Sequence, residues 1–248
     1  MKLVISASPH IDSGATTRKI MGDVLIALCP ALIAAVIIFG WRALLVTAVC
    51  AAACVFFEWG FEKLCHKPST IDDLSAVVTG VILAYNLPVS IPLWQAVFGC
   101  LVAIVAVKQL FGGIGKNFLN PALAGRAFLI ASYANHMTTW IVPNSLKGVV
   151  DGTTMATPMT YLYSGEAMPA YLNYKNIILG NMPGCIGEIS AIALLIGAAY
   201  LLIRKVITWR IPTAFIGTVV VLTFIFGHEG YSRADWVMYN VFSGSMLL

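Results

Sequence analysis

Two short stretches of this 248-residue chain place a threonine directly after an alanine: SGATT, Ser13 to Thr17, and DGTTMATPM, Asp151 to Met159. A threonine hydroxyl with no base beside it is a poor nucleophile. If either one carries a covalent group, a separate enzyme has to install it, and that enzyme needs an exposed, flexible acceptor loop. Both stretches also have a plain structural reading. Ser and Thr ahead of a hydrophobic run are N-cap candidates, which suits SGATT before Arg18 and Lys19. Asp151-Gly152 is a strong turn dipeptide. Thr157 followed by Pro158 fits an N-cap with proline at the first helical position. The two readings of Thr157 are compatible, because a threonine at a turn-to-helix junction keeps an accessible hydroxyl.

Other candidate residues are polar groups inside or beside apolar runs. Arg126 lies about eight residues into one such run, where a charge costs about 2.5–3.5 kcal/mol unless it is paired or faces a cavity. LPVSIP, with Pro88 and Pro92, ends the preceding short run sharply, since proline removes a donor and disfavours helix before it. GGIGKNFLNPALAGR puts glycines at 112, 113 and 115, then Asn120-Pro121, at the start of another short run. Membrane proteins put exposed backbone dipoles and binding sites at short, broken spans. Asn120 and its neighbours are therefore candidate walls of a cofactor or ion cavity, with an ordinary Asn-Pro turn as the alternative. Asp23, Asp72 and Asp73 sit at the starts of runs, where carboxylates favour helix N-termini. The six cysteines contain no CxxC pair and no spacing suited to zinc or an iron–sulfur cluster. No metal site and no catalytic set is expected from these residues.

The elements that must position them are membrane helices. The chain is 59% hydrophobic and only 10% charged, against roughly 25% charged residues in soluble domains. A surplus of +4 is no nucleic-acid signature; cytoplasmic loops of membrane proteins gather Lys and Arg in just this way. Apolar runs at about 23–40, 43–61, 74–88, 93–111, 118–133, 184–203 and 211–227, and an eighth near Trp236, predict an all-α polytopic bundle of about eight spans. Some of these helices are broken by Gly and Pro, and the eighth run is cut short at Leu248.

With the N-terminus inside, Lys2, Arg18, Lys19, Lys63, Lys67, Lys108, Lys116, Arg204, Lys205 and Arg210 fall on one side, ten in all. Arg42, Lys147, Lys175 and Arg233, four, fall on the other. The positive-inside rule then favours a cytoplasmic N-terminus. The expected organisation is a cytoplasmic arm over 1–22, helices one to five over 23–133, an extracytoplasmic loop over 134–183, and helices six to eight over 184–248. DGTTMATPM is thus expected outside and SGATT inside.

DGTTMATP resembles the acceptor pattern of flavin transferases, Asp-x-x-(Ser/Thr)-Gly-Ala-Thr, whose last threonine receives FMN through a phosphoester. On that resemblance Asp151 is the leading acid, Thr154 the hydroxyl position, Ala156 the alanine and Thr157 the acceptor, while Met155 stands where the pattern has glycine. The same frame on SGATT puts His10 in place of the acid. SPHIDSGATTRKIMGDVLIALCPALIAAVI, DDLSAVVTGVILAYNLP and GGIGKNFLNPALAGRAFL extend the resemblance over nearly the whole chain. They are similar to the D subunit of the Rnf electron-transfer complex, itself related to the B subunit of the sodium-pumping NADH:quinone reductase.

The resemblance implies a multi-pass subunit of a bacterial cytoplasmic membrane with FMN held covalently on an extracytoplasmic loop. It would relay electrons between flavin and iron–sulfur subunits, with overall flow between ferredoxin and NAD⁺ and coupled movement of Na⁺ or H⁺. It implies a flavin transferase for maturation and admits a noncovalent riboflavin between helices. A flavin phosphate or reduced flavin anion would suit Arg126, with a helix carbonyl or another subunit as the alternative. No nucleotide fingerprint or cluster ligands are present, so the chain reads as a relay rather than a complete enzyme. Two rival readings stay open: a flavin-free solute or ion channel or transporter built on the broken helices, and a structural anchor for redox partners.

Overall fold

The computed structural model describes residues 16–149, 154–227 and 232–242. Two long helices head the order, α1 (Thr17–Phe39) and α2 (Trp41–Leu64). Then come α3 (Ser75–Tyr85), α4 (Leu93–Leu101, continuing as a π-helix over Val102–Gln109) and α5 (Pro121–Ser132). Three short helices follow, α6 (Ala134–Met137), α7 (Pro158–Ser164) and α8 (Tyr174–Leu179), before α9 (Ala191–Ile203), α10 (Arg210–Ile225) and α11 (Arg233–Phe242). The described residues hold no strand, only one isolated antiparallel bridge, so the fold is all-α. Each apolar run contains a helix, but among the described residues only α1 and α2 are long and apolar enough by themselves to cross a membrane. The first helix starts at Thr17 rather than 23, because Thr16 caps it by accepting from the Lys19 N–H at 3.3 Å.

Helices pack closely where side chains are smallest, as van der Waals association in lipid favours. A Cβ on Gly80 of α3 would lie 2.7 Å from Ala51 Cα of α2, and one on Gly197 of α9 would lie 2.2 Å from the Ala27 carbonyl of α1. Asp23 of α1 is buried and takes charge-assisted bonds from Arg204 beyond α9, at 3.2 and 3.3 Å, and from the Tyr200 hydroxyl at 3.0 Å. It therefore joins two helices rather than capping one.

Helix α3 stops after 11 residues, and α9 starts seven residues later than its apolar run, at Ala191. The segments beside them, 86–91 and 182–189, are almost wholly buried and irregular. Asn-x-Pro stands at the head of each: Asn86-Leu87-Pro88 and Asn181-Met182-Pro183. Irregular backbone shielded from water must find partners within the protein. Ile186 N–H donates to the Leu87 carbonyl at 3.0 Å and Gly187 N–H to Tyr85 at 2.9 Å. The Cys185 thiol donates to the Asn86 carbonyl at 3.4 Å. Arg42, from the first turn of α2, spreads over the other side of the first break. Its Nε donates to the Val89 carbonyl at 2.8 Å and its Nη2 to Ile91 and Ser90 at 3.2 and 3.4 Å.

The end of α2 carries a buried ionic network, although the sequence reading counts Lys108 among the cations of the cytoplasmic side. Instead Glu58, Glu62 and Lys108 are each at most 3% exposed. Lys108 Nζ donates to both Glu58 oxygens at 2.8 and 2.9 Å and to Ser75 Oγ at 2.5 Å. Gln109 Nε2 donates to Glu58 at 2.8 Å. The wide π turn lets these two neighbours in sequence reach the same carboxylate. Glu62 accepts from the Thr70 N–H at 3.1 Å, and the Thr70 hydroxyl lies 2.5 Å from Glu62 and 3.0 Å from Glu58. Without Lys108 the side expected to be cytoplasmic keeps nine of its ten cations against four, so the asymmetry stands.

Removing one partner of a buried pair costs about 3–5 kcal/mol, whereas replacing both by apolar groups is often neutral. Lys108→Met should therefore lower the thermal midpoint of the detergent-purified protein sharply. Glu58→Leu with Lys108→Met should recover most of the loss.

Candidate functional site

The stretch around Thr157 is held by its neighbours in a defined shape. Thr154 forms the isolated bridge with Ile141, and the Met155 N–H donates to the Trp140 carbonyl at 3.1 Å. The Met155 side chain is buried with Val142 and Leu146, and half-buried Tyr171 packs on the same cluster. Burial and the adjacent Tyr161 hydroxyl hold the Tyr171 phenol well above the usual tyrosine range. Met155 is not among the residues with positive φ, so the backbone here does not demand the glycine of the acceptor pattern. The side chain that departs from the pattern pins the segment instead.

Thr157 is extended, with φ −72° and ψ 158°, and is the N-cap of α7, followed by Pro158 at the first helical position. Its Oγ1 accepts from the Thr160 N–H at 3.4 Å and lies 3.0 Å from the Thr160 hydroxyl. The residue is half-buried and Thr160 exposed. A cavity of about 460 Å³ opens beside them, lined by Thr138, Thr139, Trp140, Thr154, Met155, Ala156 and Thr160. The far wall is tied down as well, since Ser90 Oγ of the first break donates to the Thr139 carbonyl at 2.8 Å.

Arg126 lies elsewhere, where α5 meets the two breaks. Its Nη1 donates to Asn86 Oδ1 at 2.7 Å and pairs with Glu188 at 3.5 Å. The partner sought in a cofactor, a helix carbonyl or another subunit is thus supplied within the chain by a carboxylate of the second break. Asn120 is the N-cap of α5 and accepts from the Ala122 N–H at 3.0 Å, the cap of an ordinary Asn-Pro turn. Thr154 and Ala156 line the cavity, and Thr157 follows Ala156 in the chain with its Oγ1 3.0 Å from the Thr160 hydroxyl; Arg126 and Asn120 belong to other places. Asp151 lies outside the described residues, as do Ser13 to Ala15 of SGATT, whose Thr16 serves as the cap of α1.

Residues 4–248 match the sequence profile of the NQR2, RnfD, RnfE family. The chain belongs to that family. It is 46% identical over its whole length to the D subunit of the Na⁺-translocating ferredoxin:NAD⁺ oxidoreductase complex of Acetobacterium woodii, covering 75% of that protein. It is 41% identical over 98% of its length to the D subunit of the proton-translocating ferredoxin:NAD⁺ oxidoreductase complex of Clostridium ljungdahlii, again covering 75%. To the D subunit of the ion-translocating oxidoreductase complex of Rhodobacter capsulatus it is 32% identical over 98% of its length, covering 75% of that protein too. Within the family it therefore groups with Rnf D subunits, as the sequence resemblance implied.

Trp140, Thr160 and Glu188 carry no motif that marks them in the sequence, whereas Asn86 stands in an Asn-x-Pro triplet of the quoted stretch DDLSAVVTGVILAYNLP. Of those three, only Glu188, a lone acid in an apolar run, leaves a local trace that could single it out. For this family member Met155 is the residue that tests how the acceptor segment is held. Truncating a buried methionine to alanine costs about 2–5 kcal/mol. Met155→Ala and Met155→Gly should both speed protease cleavage within 150–160 while leaving the thermal midpoint of the helical bundle nearly unchanged.

Proposed function

We propose that this chain is the flavin-bearing membrane subunit of an Rnf-type complex, with FMN esterified through its phosphate to the Thr157 hydroxyl. Electrons would pass through it between other flavin and iron–sulfur subunits, on a route between ferredoxin and NAD⁺, while the complex moves Na⁺ or H⁺. The observation that carries this reading is the placement of Thr157. Its hydroxyl lies 3.0 Å from that of Thr160, which lines a cavity whose volume falls within the roughly 300–1,000 Å³ typical of small-molecule sites. Its partners among the described residues are Thr160 groups at 3.0 and 3.4 Å, weak enough to yield to a modifying enzyme. Thr16, the competing threonine, serves as the cap of a long helix.

The distribution of Lys and Arg, nine to four once buried Lys108 is set aside, supports an acceptor segment outside the cytoplasm and a cytoplasmic N-terminus. When bound, a flavin supplies one- and two-electron transfer. The chain's own part is to hold the acceptor hydroxyl at a fixed place outside the membrane core and to keep the segment in register through Thr154 and Met155. The irregular backbone of the two buried breaks favours a second reading, a flavin-free conduit.

In-gel flavin fluorescence separates the two readings. After co-expression with a flavin transferase, the denatured wild-type band should fluoresce. Thr157→Val should abolish the signal, and Thr16→Val should keep it. A dark wild-type band would overturn the proposal, and solute flux through flavin-free protein would support the conduit.

A further inference from the structure

We infer that the cavity beside Thr157 is the seat of the flavin's ring system, with Trp140 as its aromatic wall; this rests on the covalent-flavin reading above. Position supports it first. Ala156 and Thr160 both line the cavity, and Thr157 lies between them in the chain with its Oγ1 3.0 Å from the Thr160 hydroxyl. A group esterified at that oxygen starts beside Thr160 of the lining, so its ring needs only to fold back over the opening.

The chemistry of the lining points the same way. Its described residues are four threonines, an alanine, a methionine and a tryptophan, with no charged side chain among them. A phosphate finds no counter-charge among those residues. An uncharged, flat ring is the better occupant. The isoalloxazine has one edge of carbonyl and N–H groups and one of methyl groups, and the lining divides in the same way. Thr138 and Thr139 spend their hydroxyl protons on the Ala134 and Asn135 carbonyls, at 2.9 and 2.5 Å. Their oxygens are left as acceptors for a ring N–H. Met155 and Ala156 supply apolar contact, and Trp140 is the one aromatic residue of the lining, able to stack on a planar ring.

The seat is also rigid. One wall hangs on Ser90 through the Thr139 carbonyl, and the other is stitched to it by the Ile141–Thr154 bridge and the Met155 N–H. A site held from both sides spends little binding energy on ordering itself.

The test reads attachment and seating separately, on the full chain co-expressed with a flavin transferase. Attachment is scored on a denaturing gel, seating by native flavin fluorescence and visible circular dichroism. Native wild type should be strongly quenched relative to the same protein after digestion, because an indole stacked on the ring quenches it. Trp140→Leu should keep the denatured-gel band, raise native fluorescence several-fold and weaken the circular dichroism. Trp140→Phe should fall between.

Thr138→Phe fills the cavity without altering Trp140 and should expose the ring to the same degree, which covers the case that Trp140→Leu fails to fold. Thr138→Lys should raise the flavin's midpoint potential. Attached flavin whose native quenching, dichroism and potential do not respond to these variants would overturn the seat and leave the attachment intact. A wild-type band without fluorescence would overturn the attachment, and the seat with it.

Discussion

Two stretches of irregular backbone at depth, 86–91 and 182–189, impose the constraint around which the rest of the fold is arranged. Peptide groups withdrawn from water cost several kcal/mol each when unpaired in a hydrocarbon setting, so they must be matched by something that packing brings to them. Here each break supplies partners for the other, through Ile186 with Leu87 and Gly187 with Tyr85. Two arginines complete the match. Arg42 covers the carbonyls of Val89, Ser90 and Ile91. Arg126 holds the Asn86 amide oxygen and the Glu188 carboxylate that enters with the second break. The packing tolerates no extra atom: a Cβ on Gly187 would lie 2.4 Å from the Tyr85 side chain. Short helices α3 and α9 follow from this arrangement, since neither can continue through a segment whose hydrogen bonds run elsewhere.

At the opposite end of α2 the same accounting is done with charge. Glu58, Lys108, Gln109, Ser75, Thr70 and Glu62 form one continuous set of contacts joining α2, the π-helical end of α4, the start of α3 and the intervening loop. Buried pairs of this kind contribute little net stability over an apolar core but penalise any register in which a charge is left alone. They act here as a register lock for three helices whose apolar faces would otherwise slide. A small polar cavity of about 270 Å³ lies against the set, with Glu62, Lys67 and Asp73 on its wall.

The segment around Thr157 is coupled to the breaks without belonging to them. Ser90 reaches from the first break to the Thr139 carbonyl, and the residues that follow Thr139 pair with Thr154 and Met155. Thr157 is in this way held at a set distance from the broken helices, although it lies on a connection rather than on a long helix.

The membrane character of the chain, the places where helices form and the first of the two breaks are decided locally, whereas the second break, 182–189, lies partly inside an apolar run that reads as one span. Apolar length, Pro88, Pro92 and Asn120-Pro121 act through a few neighbouring residues, and they are legible in the order of the amino acids. Thr157 is legible for the same reason, as an accessible hydroxyl at a turn-to-helix junction inside a short pattern. What pairs with what is not local. Glu188 meets Arg126 from 62 residues away, Lys108 meets Glu58 from 50, and Arg42 meets the first break from 47. A lone acid in an apolar run reads as an exception until packing shows the cation opposite it. Met155 reads as a defect in the acceptor pattern because a pattern carries no depth; only the cluster it fills with Val142 and Leu146 makes it an anchor. The amino-acid order determined which groups had to be satisfied. The tertiary structure decided by whom, because only helix packing brings partners so far apart in the chain within hydrogen-bond reach.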